Sequence, residues 1–158
     1  MIAKIITAGV DEVGRGSLAG PVVAAAVILP INHCIPSLDD SKKLSAKKRS
    51  ELSIRIKSIA ISVSIGLVES FIIDDINIKN ATLLAMKNAI KGLKKRPDLV
   101  LIDGQDKLDI DIKNNNIVGG DSLEECIMAA SICAKVSRDK LMDSYALQYP
   151  DFGFESNK

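Results

Sequence analysis

Short apolar runs alternate with amphipathic stretches along the chain, and this pattern predicts strands interleaved with helices. Residues 5–10 and 22–29 are rich in β-branched side chains, and several glycines lie between them. We therefore predict two neighbouring strands joined as a hairpin. Residues 60–68 alternate and predict a third strand, residues 99–102 predict a short buried one, and residues 117–118 are a candidate for another.

Three segments have helical periodicity. Residues 45–56 begin with Ser45, a suitable N-cap, residues 80–93 carry a broad apolar stripe, and residues 123–147 form a long run that ends before Pro150. Together these elements predict an α/β fold, a mixed β-sheet flanked by α-helices. The length of 158 residues suits one domain spanning residues 1–158.

Composition excludes several classes of protein. A hydrophobic fraction of 47% and a charged fraction of 26% exclude a disordered chain. The net charge of +1 excludes a uniformly basic coat, but it leaves room for a local basic face. Aromatic residues make up only 3%, which argues against a stacking platform for single-stranded nucleic acid.

The compartment is predicted from the cysteines and from the apolar runs. Cys34, Cys126 and Cys133 show no paired spacing, so we expect a reducing cytoplasm, with Cys126 and Cys133 acting as small buried hydrophobes. The longest apolar run, residues 22–29, is too short to cross a membrane, and residues 1–4 lack a signal-peptide pattern. His33 is the only histidine, so any histidine-bearing zinc site or serine triad would depend on it.

Carboxylates lie at the predicted ends of strands. Asp11 and Glu12 run into a Gly14-Arg15-Gly16 turn, and Asp103 ends a second strand. Side chains alternate along a strand, so we expect one of Asp11 and Glu12 to lie where that strand breaks. Asp121 opens the last helix, and together these acids would repel one another unless a cation neutralised them. An all-oxygen cluster suits Mg²⁺ or Mn²⁺ and phosphoryl transfer with two metal ions.

Each acid also has a purely structural interpretation, because Asp and Glu are common in turns and at helix caps. We expect Ser122 and Glu125 to form a capping box, which frees Asp121 for another role. Asp139 is the rival fourth acid, but Lys135 lies one helical turn before it and can pair with it. We therefore prefer Asp121.

Glycines and lysines suggest what the acids act on. The glycine spacing departs from that of dinucleotide-binding loops, and acids directly upstream would oppose a pyrophosphate. Lys42 and Lys43 follow Asp40 in a loop, where they are candidates to bind phosphates. The lysines and arginines of the predicted helices are more typical of a solvated helix face.

These segments strongly resemble bacterial ribonuclease HII, in the order that this family has along nearly the whole chain. The matching stretches are AGVDEVGRG (residues 8–16), DSKKLS (40–45), INI (76–78), ATLLAM (81–86), LIDG (101–104), GD (120–121) and AASICAKVSRD (129–139). The first and the last of these are highly specific.

The resemblance implies a ribonuclease H-like fold and a monomeric endonuclease that acts on RNA/DNA hybrids and on duplex DNA containing single ribonucleotides. It implies incision on the 5′ side of the ribonucleotide, with Mg²⁺ or Mn²⁺ held by Asp11, Glu12, Asp103 and Asp121. Gly14, Arg15 and Gly16 would recognise the ribose 2′-hydroxyl. Phosphates would be held, or the acids braced, by Lys42, Lys43, Ser131, Lys135 and Arg138.

Two departures from the family pattern generate alternatives. Gly119 stands where a lysine is common, and the family continues beyond residue 158 with a specificity tyrosine and terminal helices, which we expect this chain to lack. The alternative function is therefore a shortened, catalytically impaired protein that at most binds hybrid duplex. A magnesium phosphohydrolase acting on small phosphate esters is a third hypothesis, which leaves the Gly-Arg-Gly turn unexplained.

Overall fold

Five strands form one mixed sheet in the computed structural model, which describes residues 5–158. Residues 1–4, where the sequence lacks a signal-peptide pattern, lie outside the described part. The strand order across the sheet is β3-β2-β1-β4-β5. The strands are β1 (Thr7–Val13), β2 (Val22–Ile28), β3 (Ser62–Val68), β4 (Leu99–Asp103) and β5 (Lys113–Ile117).

The pairing of the strands places β1 at the centre of the sheet. β1 and β2 pair antiparallel, as the predicted hairpin requires, and β3 adds antiparallel to β2. β4 lies parallel to β1 on its other side, and β5 lies parallel to β4. Parallel neighbours end at the same edge of a sheet, so the ends of β1 and β4 lie side by side. The predicted mixed sheet flanked by helices is confirmed.

Three α-helices accompany the sheet, namely α1 (Ala46–Ile59), α2 (Ser70–Lys91) and α3 (Glu125–Gln148). Ser45 caps α1 as predicted, because its Oγ accepts a hydrogen bond from the Lys48 backbone N–H at 3.2 Å. The predicted capping box of α3 is wrong. Ser122 belongs to a separate 3₁₀ turn (Gly120–Ser122), and Glu124 precedes the helix without a side-chain cap. Within residues 5–158, no helix is long and apolar enough to span a membrane.

The predicted extents of α2 and β5 differ most from the structure. α2 begins at Ser70 rather than residue 80, and it contains a kink at Asn77, where φ is 66° and ψ is 163°. The Asn77 side chain accepts a hydrogen bond from the Asn80 backbone N–H at 3.1 Å, so it caps the second part, which is the part that the apolar stripe predicts. β5 covers residues 113–117 rather than 117–118, because its sequence KNNNI is polar and gives little apolar signal.

The hydrophobic core lies on both faces of the sheet. β2 is buried along its whole length, and its residues alternate between the two sides. Ala24 and Ala26 pack towards α2, whereas Ala25 and Val27 pack towards α1 and α3. Burial on two faces explains why β2 is a continuous apolar run. Cys133 lies in the core on the α3 side, as expected, and Cys126 is partly buried.

Gly9 lets the start of α3 approach the sheet closely. A Cβ atom at this position of β1 would overlap the backbone of Cys126 and Ile127. Any larger residue would therefore push α3 away from the centre of the sheet. The closeness of this contact fixes where the rest of α3 lies along β1.

We predict that Gly9→Ala lowers the free energy of unfolding by about 1–3 kcal/mol or more, because the added methyl group meets backbone that cannot rotate away. Thermal unfolding followed by circular dichroism measures the effect. Gly16→Ala is the matched control, since a Cβ there meets nothing within 4 Å. Equal melting temperatures for the two variants would contradict the close packing at Gly9.

Candidate active site

Three carboxylates meet at the edge of the sheet where β1 and β4 end. Asp11 comes from β1, Asp103 is the last residue of β4, and Asp121 lies in the 3₁₀ turn before α3. One carboxylate oxygen from each residue lies within 4.8 Å of the other two. The Asp121 backbone N–H also donates to Asp103 Oδ1 at 3.4 Å, which ties the turn to the strand.

Glu12 lies beside this group but outside it. Contrary to the expectation of a break, β1 continues through both acids to Val13, with Asp11 opposite Ala25 and Glu12 opposite Ala24. Strand alternation therefore sends the two side chains to different faces. Pairing with β4 stops at Val10, so this edge of β1 is open. Burial, followed by repulsion from the nearby Asp103, raises the pKa of Glu12.

Burial and mutual repulsion disfavour the charged forms of Asp11, Glu12 and Asp103. Burial raises the pKa of Asp11 to about 8, and the charges of Glu12 and Asp103 add to the increase, while the neighbouring Ser131 hydroxyl opposes it. Burial, followed by repulsion from Asp121, raises the pKa of Asp103. Acids that repel one another, with oxygen as the only donor atom, fit a bound divalent cation such as Mg²⁺ or Mn²⁺.

The predicted phosphate lysines lie on a short turn beside the acids. This 3₁₀ turn (Ser41–Lys43) is capped by Asp40, whose Oδ1 accepts a hydrogen bond from the Lys42 backbone N–H at 2.9 Å. Lys42 Nζ lies 3.3 Å from Asp121 Oδ2, although 81% of the Lys42 side chain stays exposed. Lys43 Nζ instead pairs with Asp39 at 3.2 Å. The structure brings only the first of the two lysines to the acids.

Two other candidates lie outside the acid cluster. Lys135 Nζ donates to Asp139 Oδ1 at 2.8 Å, the pairing that the sequence predicts, and Asp139 is not among the three clustered carboxylates. His33 Nε2 lies 3.2 Å from Glu125 Oε2, next to a cavity of about 840 Å³ at the opposite end of β1 and β4. None of the four acids lines that cavity.

Comparison with known proteins places the chain in a family. A model of the family described as ribonuclease HII matches residues 8–158. The chain belongs to the ribonuclease HII family. It is similar to the ribonuclease HII of Endomicrobium trichonymphae, with 56% identity over 152 residues that cover 96% of this chain and 72% of that one. It is also similar to the ribonuclease HII of Syntrophus aciditrophicus, with 52% identity over 97% of this chain and 72% of that one.

A solved structure supports the same fold. The crystal structure of ribonuclease H2 from Pyrococcus horikoshii matches with a TM-score of 0.82 and 25% sequence identity. The match covers 93% of this chain and 78% of that one. The mixed sheet and its flanking helices are therefore those of the ribonuclease H-like fold.

The glycine-arginine turn follows β1 directly. Gly14 has a φ of 97°, and a Cβ there would overlap Arg138 Nε and the Pro21 carbonyl, so the backbone needs glycine. Arg15 is partly exposed, and its guanidinium lies 3.1 Å from Asp106. Arg138 is fully buried and donates to backbone carbonyls, which favours bracing over direct contact with phosphates.

Sequence reasoning missed three residues that shape the site. The Asp106 carboxylate forms ion pairs with Arg15 and, at 3.0 Å, with Lys79. It lies in a loop without a periodic sequence pattern. The buried Ser41 shares a 2.9 Å hydrogen bond with Ser131, and its place in the DSKKLS stretch was the available signal. Arg49 lies in a predicted helix whose charged residues the sequence pattern assigns to a solvated face. In the structure its side chain is largely buried.

We predict that Asp11→Asn stabilises the metal-free protein. The folded-state pKa of about 8 lies above the usual value of 3.8, so the wild-type protein loses stability as the pH rises from about 4 to 8. Asparagine cannot ionise, and its advantage should therefore grow across that range. Melting temperatures in EDTA at pH 4.5, 6 and 8 measure it.

The control for this prediction is Asp109→Asn, which changes an exposed carboxylate outside the cluster. Its melting temperature should follow that of the wild-type protein at each pH. Added Mg²⁺ should reduce the difference in melting temperature between the wild-type protein and Asp11→Asn. An Asp11→Asn variant that is less stable than the wild type at pH 8 in EDTA would refute the burial argument.

Proposed function

We propose that the protein is an endoribonuclease that hydrolyses the RNA strand of RNA/DNA hybrids and incises duplex DNA on the 5′ side of single ribonucleotides. The observation that carries this proposal is the meeting of Asp11, Asp103 and Asp121 within 4.8 Å, beside the Gly-Arg-Gly turn. The carboxylates supply a phosphoryl-transfer centre, and the turn supplies a means of sensing the 2′-hydroxyl. Membership of the ribonuclease HII family supports both parts.

The acids would act by holding two divalent cations. Asp11, Asp103 and Asp121 would hold them, with Glu12 as a further ligand reached along the open edge of β1. When bound, such ions activate a water molecule for attack on phosphorus and stabilise the leaving 3′ oxygen. The protein itself would orient Asp11 and favour its charged form. The Ser131 hydroxyl would do this by hydrogen bonding to the carboxylate, and the pairing of β1 with β2 would fix the backbone of Asp11.

Specificity for a ribonucleotide would come from Gly14, Arg15 and Gly16. A Cβ at Gly16 would meet nothing within 4 Å, so open space lies in front of the backbone there. Glycine lets a sugar approach the main chain closely, and the 2′-hydroxyl distinguishes RNA from DNA. This turn lies two residues beyond Glu12, so a ribose bound there would lie near the phosphate on which the acids act.

Phosphate binding would begin at Lys42, the lysine that already lies at the acids. Lys43, Ser131, Lys135 and Arg138 complete the proposed set, as direct contacts or as supports of the acids. We further propose that residues 1–158 form one catalytic domain that acts as a monomer in the cytoplasm during DNA replication and repair. The family assignment is the basis of this part.

We predict that the protein, with Mg²⁺ or Mn²⁺, cuts a DNA duplex containing one ribonucleotide on its 5′ side and leaves an all-DNA duplex intact. Asp11→Asn should reduce cutting to the level seen in EDTA, because the acid at the centre of the cluster is lost. A denaturing gel with an end-labelled strand gives both the rate and the position.

Two results would contradict the proposed function. Wild-type rates for Asp11→Asn would show that the cluster is not the catalytic centre. If the folded protein cuts neither the ribonucleotide-containing duplex nor an RNA/DNA hybrid, the catalytically impaired alternative is favoured. If it instead hydrolyses a simple phosphomonoester, the phosphohydrolase is favoured.

We predict that Lys42→Ala lowers kcat/KM by about tenfold or more, equivalent to ~1.4 kcal/mol, and that Lys43→Ala has a much smaller effect. The reason is that Lys42 lies at Asp121 whereas Lys43 pairs with Asp39. The two neighbouring lysines control for each other, since both variants lose the same charge. Equal losses, measured as initial rates on the ribonucleotide duplex, would contradict this assignment.

A further inference from the structure

Arg138 of α3 supports the loop that carries the glycine-arginine turn, defined here as the glycine loop (residues 14–21). Its Nε donates to the Pro21 carbonyl at 3.1 Å, and its NH2 group donates to the Ala19 carbonyl at 2.8 Å. NH1 donates to the Asn157 carbonyl at 3.1 Å. All three nitrogens of this fully buried guanidinium are therefore used, and two of them hold the end of the glycine loop.

Arg49 of α1 supports the loop that carries Lys42, defined here as the lysine loop (residues 39–45). Its NH1 group donates to the Ser41 carbonyl at 3.0 Å and to the Leu44 carbonyl at 2.6 Å. Its NH2 group lies 3.7 Å from Asp139 of α3. One arginine thus spans the turn whose middle residue, Lys42, reaches the acids.

Adjacent residues of α3 serve the two loops. Arg138 reaches the glycine loop directly, and Asp139 reaches the lysine loop through Arg49. We propose that Arg138 and Arg49 are positioning residues, each of which sets one loop relative to the acids, and that the Arg138-Asp139 pair links both loops to one helix. This inference rests on the proposed function only for its catalytic consequences.

The chemistry of arginine suits this role. A guanidinium presents five N–H donors in a rigid fork, so one side chain can satisfy several carbonyls at once. Lysine has a single flexible ammonium group and cannot reproduce that geometry, although it keeps the charge. A lysine substitution should therefore loosen one loop without removing the charge. The loop carbonyls that lose their arginine donors will then accept hydrogen bonds from water.

Hydrogen–deuterium exchange of the metal-free protein tests the positioning directly, without any need for activity. Arg138→Lys should speed exchange in residues 14–21 and leave residues 39–45 unchanged, whereas Arg49→Lys should do the reverse. Arg55→Lys is the control, since Arg55 donates to the carbonyl of Cys34, outside both loops. Faster exchange in both loops for each variant, or in neither, would overturn the proposal.

Cleavage kinetics test the catalytic consequence on the ribonucleotide duplex, with rates normalised to the folded fraction. Arg138→Lys should lower kcat by up to about 10²-fold, the effect expected of misplacing a substrate by about 1 Å, and should leave the salt dependence of KM unchanged. Arg49→Lys should raise KM. It should also reduce the slope of log KM against log salt concentration by about one, as the loss of one phosphate contact does. A purely structural defect would lower kcat in both variants with identical KM and salt slope.

The two proposals fail in distinguishable ways. If wild type does not cut but exchange changes loop by loop, the positioning role holds and the proposed function fails. If wild type cuts and the lysine variants match it in exchange, kcat and salt slope, the function holds and the positioning role fails. If Arg138→Lys does not fold, Arg49→Lys alone tests the positioning role, because the proposal still requires faster hydrogen–deuterium exchange confined to residues 39–45.

Discussion

The whole site depends on how closely α3 lies along β1. The two elements meet at Gly9, where only a hydrogen atom fits between the strand and the backbone of Cys126 and Ile127. From that contact α3 runs along the strand, so that Ser131 comes beside Asp11 and Arg138 lies against Gly14. A shift of α3 would move every one of these contacts, because interiors this densely packed transmit displacement rather than absorb it.

The same arrangement forces acids together in a poorly solvated place. Asp11 is buried, and both Glu12 and Asp103 repel its charge, so the metal-free site favours the protonated form of Asp11. Lys42 is a nearby cation, but most of its side chain is in solvent, where its charge is screened. The fold therefore maintains an unfavourable cluster, which a divalent cation would relieve, and such local strain is typical of sites that evolved for chemistry rather than stability.

The sequence was most informative where local chemistry and burial agree. The hairpin, the buried β4 strand and the apolar stripe of α2 follow from periodicity. Asp11 and Asp103 lie close together because the ends of the parallel neighbours β1 and β4 coincide, and the 3₁₀ turn before α3 adds Asp121. β5 was predicted at residues 117–118 only, because the lysine and asparagines that form the rest of this edge strand have no apolar face. The first turns of α2 were missed because Asn77 interrupts the helix. The capping box failed because a 3₁₀ turn, which has no such signature, carries Ser122.

The last family stretch, residues 129–139, places its polar side chains mostly inside the protein. Ser131, Lys135, Arg138 and Asp139 recur at helical spacing and so share one face of α3. That face points into the protein: Ser131 and Arg138 are buried, and Lys135 pairs with Asp139. Under the proposed function, side chains this enclosed would affect substrate through what they contact, namely Asp11, the glycine loop and, through Arg49, the lysine loop. The sequence alone does not separate binding from bracing, because the two roles differ only in burial and in contacts with distant segments of the chain.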